Sequence, residues 1–251
     1  MTVKWIIADV DGCLTPEESE AWDLNAFADM AARIRAANRG ECDIAPITLC
    51  TGRPQPYVEA LLKLFDIRVP AICENGAVLY SLHDNRSHFG PNVNDENLAG
   101  LRRTREFIEK TVVPEDPHLV FQFGKEAQLS LYADDPSHFG PARERIEDFV
   151  EREGLPPVVI NASQTYLNIS MKDVDKGNAL RLLAEQLEAD HDELAGIGDT
   201  VGDLALRETV GFFACPSNSQ DEIKEVADYI SPEPVMRGVL DILSRPEMKR
   251  R

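Results

Sequence analysis

No apolar run in this 251-residue chain approaches the ~18 residues that a membrane-spanning helix requires. The opening "MTVKWII" passes straight into an acidic motif, which leaves no room for a signal peptide and predicts a cytoplasmic protein with no membrane partner. Positive charge is scarce. Lys and Arg number 26 against 44 Asp and Glu, for a net charge of −18. Nucleic-acid binding depends on basic side chains that neutralise phosphates, so that class is set aside, and the terminal "KRR" is too short to be a binding patch. An anionic substrate must therefore be drawn in by a local site, against the overall field. Metal-binding cysteine pairs are missing too. Cys13, Cys42, Cys50, Cys73 and Cys215 form no CxxC and no zinc spacing. Cys50, Cys73 and Cys215 end apolar runs and read as buried free thiols. Internal repeats, low-complexity stretches and long linkers are absent.

What is present is an alternation of strands and helices. "VKWIIA" reads as a buried strand. From Asp23 to Asn38 the apolar residues Leu24, Phe27, Ala28, Ala31 and Ile34 follow the helical period. "DIAPITLC" predicts a second buried strand, Pro54 to Phe65 a helix beginning at a proline, and "VPAICENGA" a third short strand ending in a turn. Such alternation implies a parallel sheet with right-handed crossovers. Past residue 80 the pattern changes to a polar loop, a helix from about Asn94 to Lys110, a hairpin of "HLVFQF" and "QLSLYA", another helix, and a second strand pair, "VVIN" and "TYLNIS". The α/β alternation then resumes at "DKGNALRLLAEQL" and continues through "LAGIGD" and "GFFAC". The expected fold class is α/β: a doubly wound parallel-sheet core from residues 1–80 and 171–251, with an inserted α+β cap over 81–170.

The first strand ends in "DVDG", with Asp9 and Asp11 two residues apart, so their side chains can share a side at roughly 6–7 Å. Open α/β sheets bind ligands outside the carboxyl ends of their strands. Asp199 of "GIGDTVGD" lies at the same kind of position, with Asp203 one helical turn on. Any one of these acids alone would be a helix N-cap. Together they repel one another and stay ionised only around a cation; hard oxygen ligands at a partly open edge suit Mg²⁺. Thr51, at the end of the second strand, and Lys176, opening a helix, complete the set.

"DVDG", "CTGR", "DKG" and "GDTVGD", in that order, resemble the four motifs of the haloacid dehalogenase superfamily of phosphohydrolases. The inserted unit resembles the type IIB cap of its Cof-like sugar phosphatases, as do "ENGA" at 74–77, "SNSQDEIKEVADYI" at 217–230 and "RGVLDIL" at 237–243. The resemblance implies that Asp9 is the nucleophile that forms an aspartyl-phosphate, and that Asp11 protonates the leaving oxygen and then activates water. It implies that Thr51 and Lys176 hold the phosphoryl oxygens, that Gly52 and Asn218 join the substrate site, and that Mg²⁺ is bound by Asp9, the Asp11 carbonyl and Asp199, with Asp203 direct or behind them. Two positions depart from the pattern: Gly202 stands where many relatives carry Asn, and Cys13 where Thr is common.

Alternation in the cap places Leu119, Phe121, Phe123, Leu129, Leu131, Leu167 and Ile169 on a packed face. His118, Gln122, Gln128, Ser130, Tyr132, Tyr166, Asn168 and Ser170 would lie on the other, which is a solvated sheet face or a substrate roof. Its amides, hydroxyls and rings suit a sugar. Gln122, Gln128, Tyr166 and Asn168 are therefore expected to contact substrate. Arg53 is a second phosphate contact or a structural ion pair. The function expected is an Mg²⁺-dependent phosphatase acting on a small phosphorylated metabolite, a sugar phosphate, as a monomer or small homo-oligomer. A phosphomutase of the phosphomannomutase kind, a phosphoglycolate phosphatase (favoured by a small cationic cap pocket) and a non-catalytic phospho-ligand binder are the rivals.

Overall fold

The computed structural model describes residues 2–17, 20–163 and 165–250. Strand β1 (Trp5–Ala8) leads to helix α1 (Leu24–Arg39). The Asp23 carboxylate caps α1 by accepting from the N–H groups of Asn25 and Ala26, and Gly40 ends it with a left-handed φ of 74°. Its buried stripe is Ala26, Phe27, Met30, Ile34 and Ala37, whereas Leu24 in the first turn is exposed. Next come β2 (Ile47–Leu49), α2 (Gln55–Phe65) and β3 (Ala71–Cys73). β4 (Val78–Ser81) follows, and β5 (Arg86–Phe89) lies where the sequence predicted a polar loop. β5 is exposed along its whole length, so no apolar alternation marked it.

Helix α3 (Asp95–Phe107), capped by Asn94, passes through a π-helical turn at Ile108–Val112 into the short α4 (Val113–Glu115), beyond the predicted end at Lys110. Then come β6 (Val120–Phe121), β7 (Gln128–Tyr132), α5 (Phe139–Arg152), β8 (Val158–Ala162) and β9 (Tyr166–Met171). The chain finishes with α6 (Lys176–Gln186), β10 (Leu194–Ile197), α7 (Leu204–Thr209), β11 (Phe212–Cys215), α8 (Asp221–Val226), β12 (Tyr229–Ile230) and α9 (Val235–Ile242). No helix among the described residues is long and apolar enough to cross a membrane.

Five strands form a parallel sheet in the order β12-β11-β10-β1-β2. β1 is an interior strand, and its residues alternate between two cores. Ile6 and Ala8 pack with Phe27, Met30 and Ile34 of α1, Leu62 of α2 and Val239 of α9. Ile7 packs on the other side with Leu180 and Leu183 of α6, Leu206 of α7 and Ile223 of α8. The core is thus an α/β layer structure with helices on both faces. β3 touches it through a single parallel bridge, Cys50 to Ile72, and otherwise pairs antiparallel with β4 in the sheet β3-β4-β5, which straddles residue 81.

The cap is an antiparallel sheet of order β6-β7-β9-β8. Leu119, Phe121, Leu129, Leu131, Leu167 and Ile169 are buried in it, as the alternation predicted. Across α3 and α5, Phe107 and Phe149 stack with ring centroids 4.1 Å apart. Phe123 differs from expectation. β6 stops at Phe121, and Phe123 leaves the sheet with 76% of its surface exposed.

Candidate active site

The carboxyl ends of β1, β2 and β10 meet at one edge of the parallel sheet. Ala8 pairs with Leu49 on one side and Ile197 on the other, so the residues that follow these strands converge. Asp9, Thr51, Asp199, Asp203 and Lys176 are all buried there. Lys176, the first residue of α6, donates from Nζ to Asp9 Oδ1 at 2.8 Å and to Asp203 Oδ1 at 2.7 Å. The other Asp203 oxygen accepts from the N–H groups of Asp199 at 3.0 Å and Thr200 at 3.2 Å. Asp203 therefore orients both Lys176 and the turn that carries Asp199. Gly12, with φ +75°, lies so close to Asp199 that a β-carbon there would be 2.0 Å from Oδ2. The Cys13 thiol donates to Asp199 Oδ1 at 3.6 Å, and burial pushes that thiol's pKa well up.

Carboxylate oxygens of Asp9, Asp199 and Asp203 lie within 4.8 Å of one another. Burial, then the charge of Asp203, pushes Asp9 up to about 7. Burial, then the charges of Asp9 and Asp203, pushes Asp199 up to about 9. Burial alone would lower Lys176, but the charges of Asp203 and Asp9 outweigh it and raise its pKa. Three acids thus share one ammonium, and an all-oxygen donor set short of positive charge fits a hard divalent cation.

Asp11 stands apart from this trio. Arg53 donates to both of its oxygens, Nε to Oδ2 and Nη2 to Oδ1, each at 2.7 Å. Arg53 thus forms the ion pair that was one of the two roles expected for it. Thr51 Oγ1 accepts from the Arg53 N–H at 3.1 Å, and a β-carbon at Gly52 would come 3.0 Å from the Asn75 side chain. Asn218 donates from Nδ2 to the Gly12 carbonyl at 2.9 Å and accepts from the Val235 N–H at 2.8 Å, so it fastens the first motif to the start of α9.

A profile of the haloacid dehalogenase-like hydrolases matches residues 102–243, more than half of the chain. The chain belongs to this family. Among curated relatives, a phosphoglycolate phosphatase of Archaeoglobus fulgidus is 28% identical over 241 residues, spanning 96% of this chain and 95% of that one. A phosphoglycolate phosphatase of Methanospirillum hungatei is 26% identical, again over 96% and 95%. The same fold is seen in the crystal structure of a Thermoplasma acidophilum protein, with TM-score 0.73, 22% identity and coverage of 97% and 98%. A haloacid dehalogenase-like hydrolase from Bacteroides thetaiotaomicron aligns with TM-score 0.70 and 17% identity over 97% and 99%.

In this haloacid dehalogenase-like hydrolase the acids face a cleft of about 640 Å³ between core and cap. Asp9, Asp11, Thr51, Gly52, Arg53, Lys176, Asp199 and Asn218 line it from the core, and Gln122, Tyr166 and Asn168 from the cap. Asp203 lies behind Lys176, outside the lining. Gln128 is not at the cleft. It is 1% exposed, and its amide donates to Ser170 Oγ at 3.0 Å. His118 and Tyr132 do not reach the cleft either; His118 stacks on His138, and Tyr132 meets Tyr166 edge-on. The sequence reading missed Phe123, Lys125, Ser163, Thr165 and Asn75, all of which line it. For Lys125 a signal existed: it is the sole basic residue between His118 and Ala133.

Proposed function

We propose that this hydrolase is an Mg²⁺-dependent phosphatase of small phosphorylated metabolites that works through an aspartyl-phosphate on Asp9. The observation that carries this reading is Lys176, which bridges Asp9 and Asp203 in the cleft that also exposes Thr51 and Asp199. An Asp9 oxygen attacks phosphorus, and the bond from phosphorus to the ester oxygen breaks. Asp11 gives that leaving oxygen a proton, then takes one from the water that hydrolyses the acyl phosphate and releases inorganic phosphate. Arg53 holds Asp11 by its two-pronged contact and has to release one of its oxygens before Asp11 carries the proton it gives, while Thr51 and Lys176 bind phosphoryl oxygens. Asp9, the Asp11 carbonyl and Asp199 would hold the cation, with Asp203 orienting Asp199 through its N–H. Bound there, Mg²⁺ would screen the phosphate's charge from the carboxylate that attacks it.

Phosphoglycolate is the first substrate to test, because the full-length relatives carry that name and the cap brings Lys125 into the cleft. A sugar phosphate is the second, favoured by the uncharged groups of Gln122, Tyr166 and Asn168 at the same cleft. A panel of phosphorylated metabolites, assayed for inorganic phosphate with Mg²⁺ and with chelator, decides between them. Release that depends on Mg²⁺ is expected. Full activity in chelator, or isomer formation without free phosphate, would overturn the proposed reaction.

A further inference from the structure

We propose that Lys125 binds a carboxylate carried by the substrate alongside its phosphate ester, and so sets which esters this enzyme prefers; this rests on the phosphatase reading above. Lys125 sits in the loop joining β6 to β7, and that loop is tied to the core. Glu74, in the turn after β3, accepts the Glu126 N–H on its two carboxylate oxygens at 3.0 and 3.1 Å, and the Ala127 N–H at 2.8 Å. Glu74 and Asn75 both hold left-handed φ values, 50° and 54°. The Asn75 N–H then donates to the Thr51 carbonyl at 3.0 Å. One turn thus fixes both the segment read as the phosphate site and the loop that carries the lysine.

The lysine itself is aimed. Its Nζ donates to Gln128 Oε1 at 2.7 Å and to Ser130 Oγ at 2.8 Å. Gln128 is held by Ser170, and Ser130 donates on to Asn168 Oδ1 at 2.6 Å. This explains why Gln128 is buried beneath the polar face: it positions the ammonium. Two of three ammonium protons are taken, and both acceptors are neutral. The ion pairs of the cleft are Arg53 with Asp11 and Lys176 with Asp9 and Asp203; Lys125 joins none of them among the described residues. Glu74 is the acid whose charge acts most strongly on Lys125, and its oxygens already accept backbone N–H groups. Burial lowers the Lys125 pKa to about 8, and the Arg53 charge adds to the fall, while Glu74 and Asp11 oppose it. A half-buried cation with one free donor and no carboxylate partner at its head is completed by an anion that the ligand brings.

The test compares 2-phosphoglycolate with ethyl phosphate, an ester of the same length without the carboxylate. The quantity read is the ratio of kcat/KM for the two substrates, which does not depend on the fraction of active enzyme in a preparation. Wild type should prefer 2-phosphoglycolate. Lys125→Met should lower that ratio by about 10- to 100-fold, chiefly through KM, the weight of one charge-assisted hydrogen bond. Lys125→Arg should recover much of it; Lys125→Gln serves if the Met variant does not fold. An unchanged ratio in the neutral variant, or a wild type that treats both esters alike, would overturn the role of Lys125 and leave the phosphatase standing. A wild type that releases phosphate from neither ester and from no other phosphate monoester overturns the phosphatase reading and this proposal with it.

Discussion

Replacing Lys176 with methionine tests the electrostatic logic of the whole site. Methionine is similar in volume and one atom shorter, so the change removes charge more than volume. It removes two charge-assisted hydrogen bonds, at 2.8 and 2.7 Å, from carboxylates that are almost entirely out of water. Breaking a buried ion pair while leaving its partner charged costs about 3–5 kcal/mol. For a chain of this size each kcal/mol moves Tm by about 2–4 °C, so the variant should melt about 6–20 °C below wild type in chelator. Calorimetry with added Mg²⁺ should then raise the variant's Tm more than that of wild type, because a cation among Asp9, Asp199 and Asp203 replaces the missing charge. Phosphate release should fall by about 100-fold or more, as for loss of one preorganised donor. A melting point within 2 °C of wild type in chelator would refute the reasoning, because at about 2–4 °C per kcal/mol the lysine would then contribute less than ~1 kcal/mol.

Three further outcomes are expected. Asp9→Asn should abolish phosphate release with an unchanged circular dichroism spectrum, because an amide does not attack phosphorus at a useful rate; near-wild-type turnover would remove Asp9 as nucleophile. Tyr166→Ala combined with Asn168→Ala should lower kcat/KM for the true substrate by about 5- to 150-fold, but for p-nitrophenyl phosphate by only a few-fold, since remote contacts orient the reacting group. Equal losses on both would show that this face supports the cap and does not read substrate. Lys125, brought to about 8 chiefly by burial, is an ammonium below that pH and an amine above it. KM for 2-phosphoglycolate should therefore climb as pH rises through 8 while KM for ethyl phosphate does not follow. Parallel rises would assign the titration to another group.

Three residues of the candidate site were legible because each follows an apolar run: Asp9 after "WIIA", Thr51 after "ITLC", Asp199 after "LAGIG". Strand ends in a parallel sheet are local signals, and the topology then brings them together. Alternation also predicted which cap residues face inward, up to the point where the strand stops. A period of two does not say how long a strand is, so Phe123 was assigned to a face it never joins. Gln128 and Ser130 were placed on the correct side of β7, but whether that side meets water or a folded-back loop depends on Glu74 binding backbone 52 residues away. No local pattern records such a contact. The β4–β5 hairpin was hidden for a different reason: an exposed edge strand has no core face to imprint on its sequence.

The pairing of β1 with both β2 and β10 bears on the order in which a growing chain acquires its chemistry. Asp9 is synthesised before both of the strands that flank β1, which come from positions 47–49 and 194–197. Until the segment carrying β10 and Asp203 has left the ribosome, the first strand has one bare edge and Lys176 lacks one of its two carboxylate partners. Each piece made before that point carries Asp9 without the acids that cluster with it. The acidic cluster at the sheet edge is complete only when the segment carrying β10 closes the sheet around its first strand.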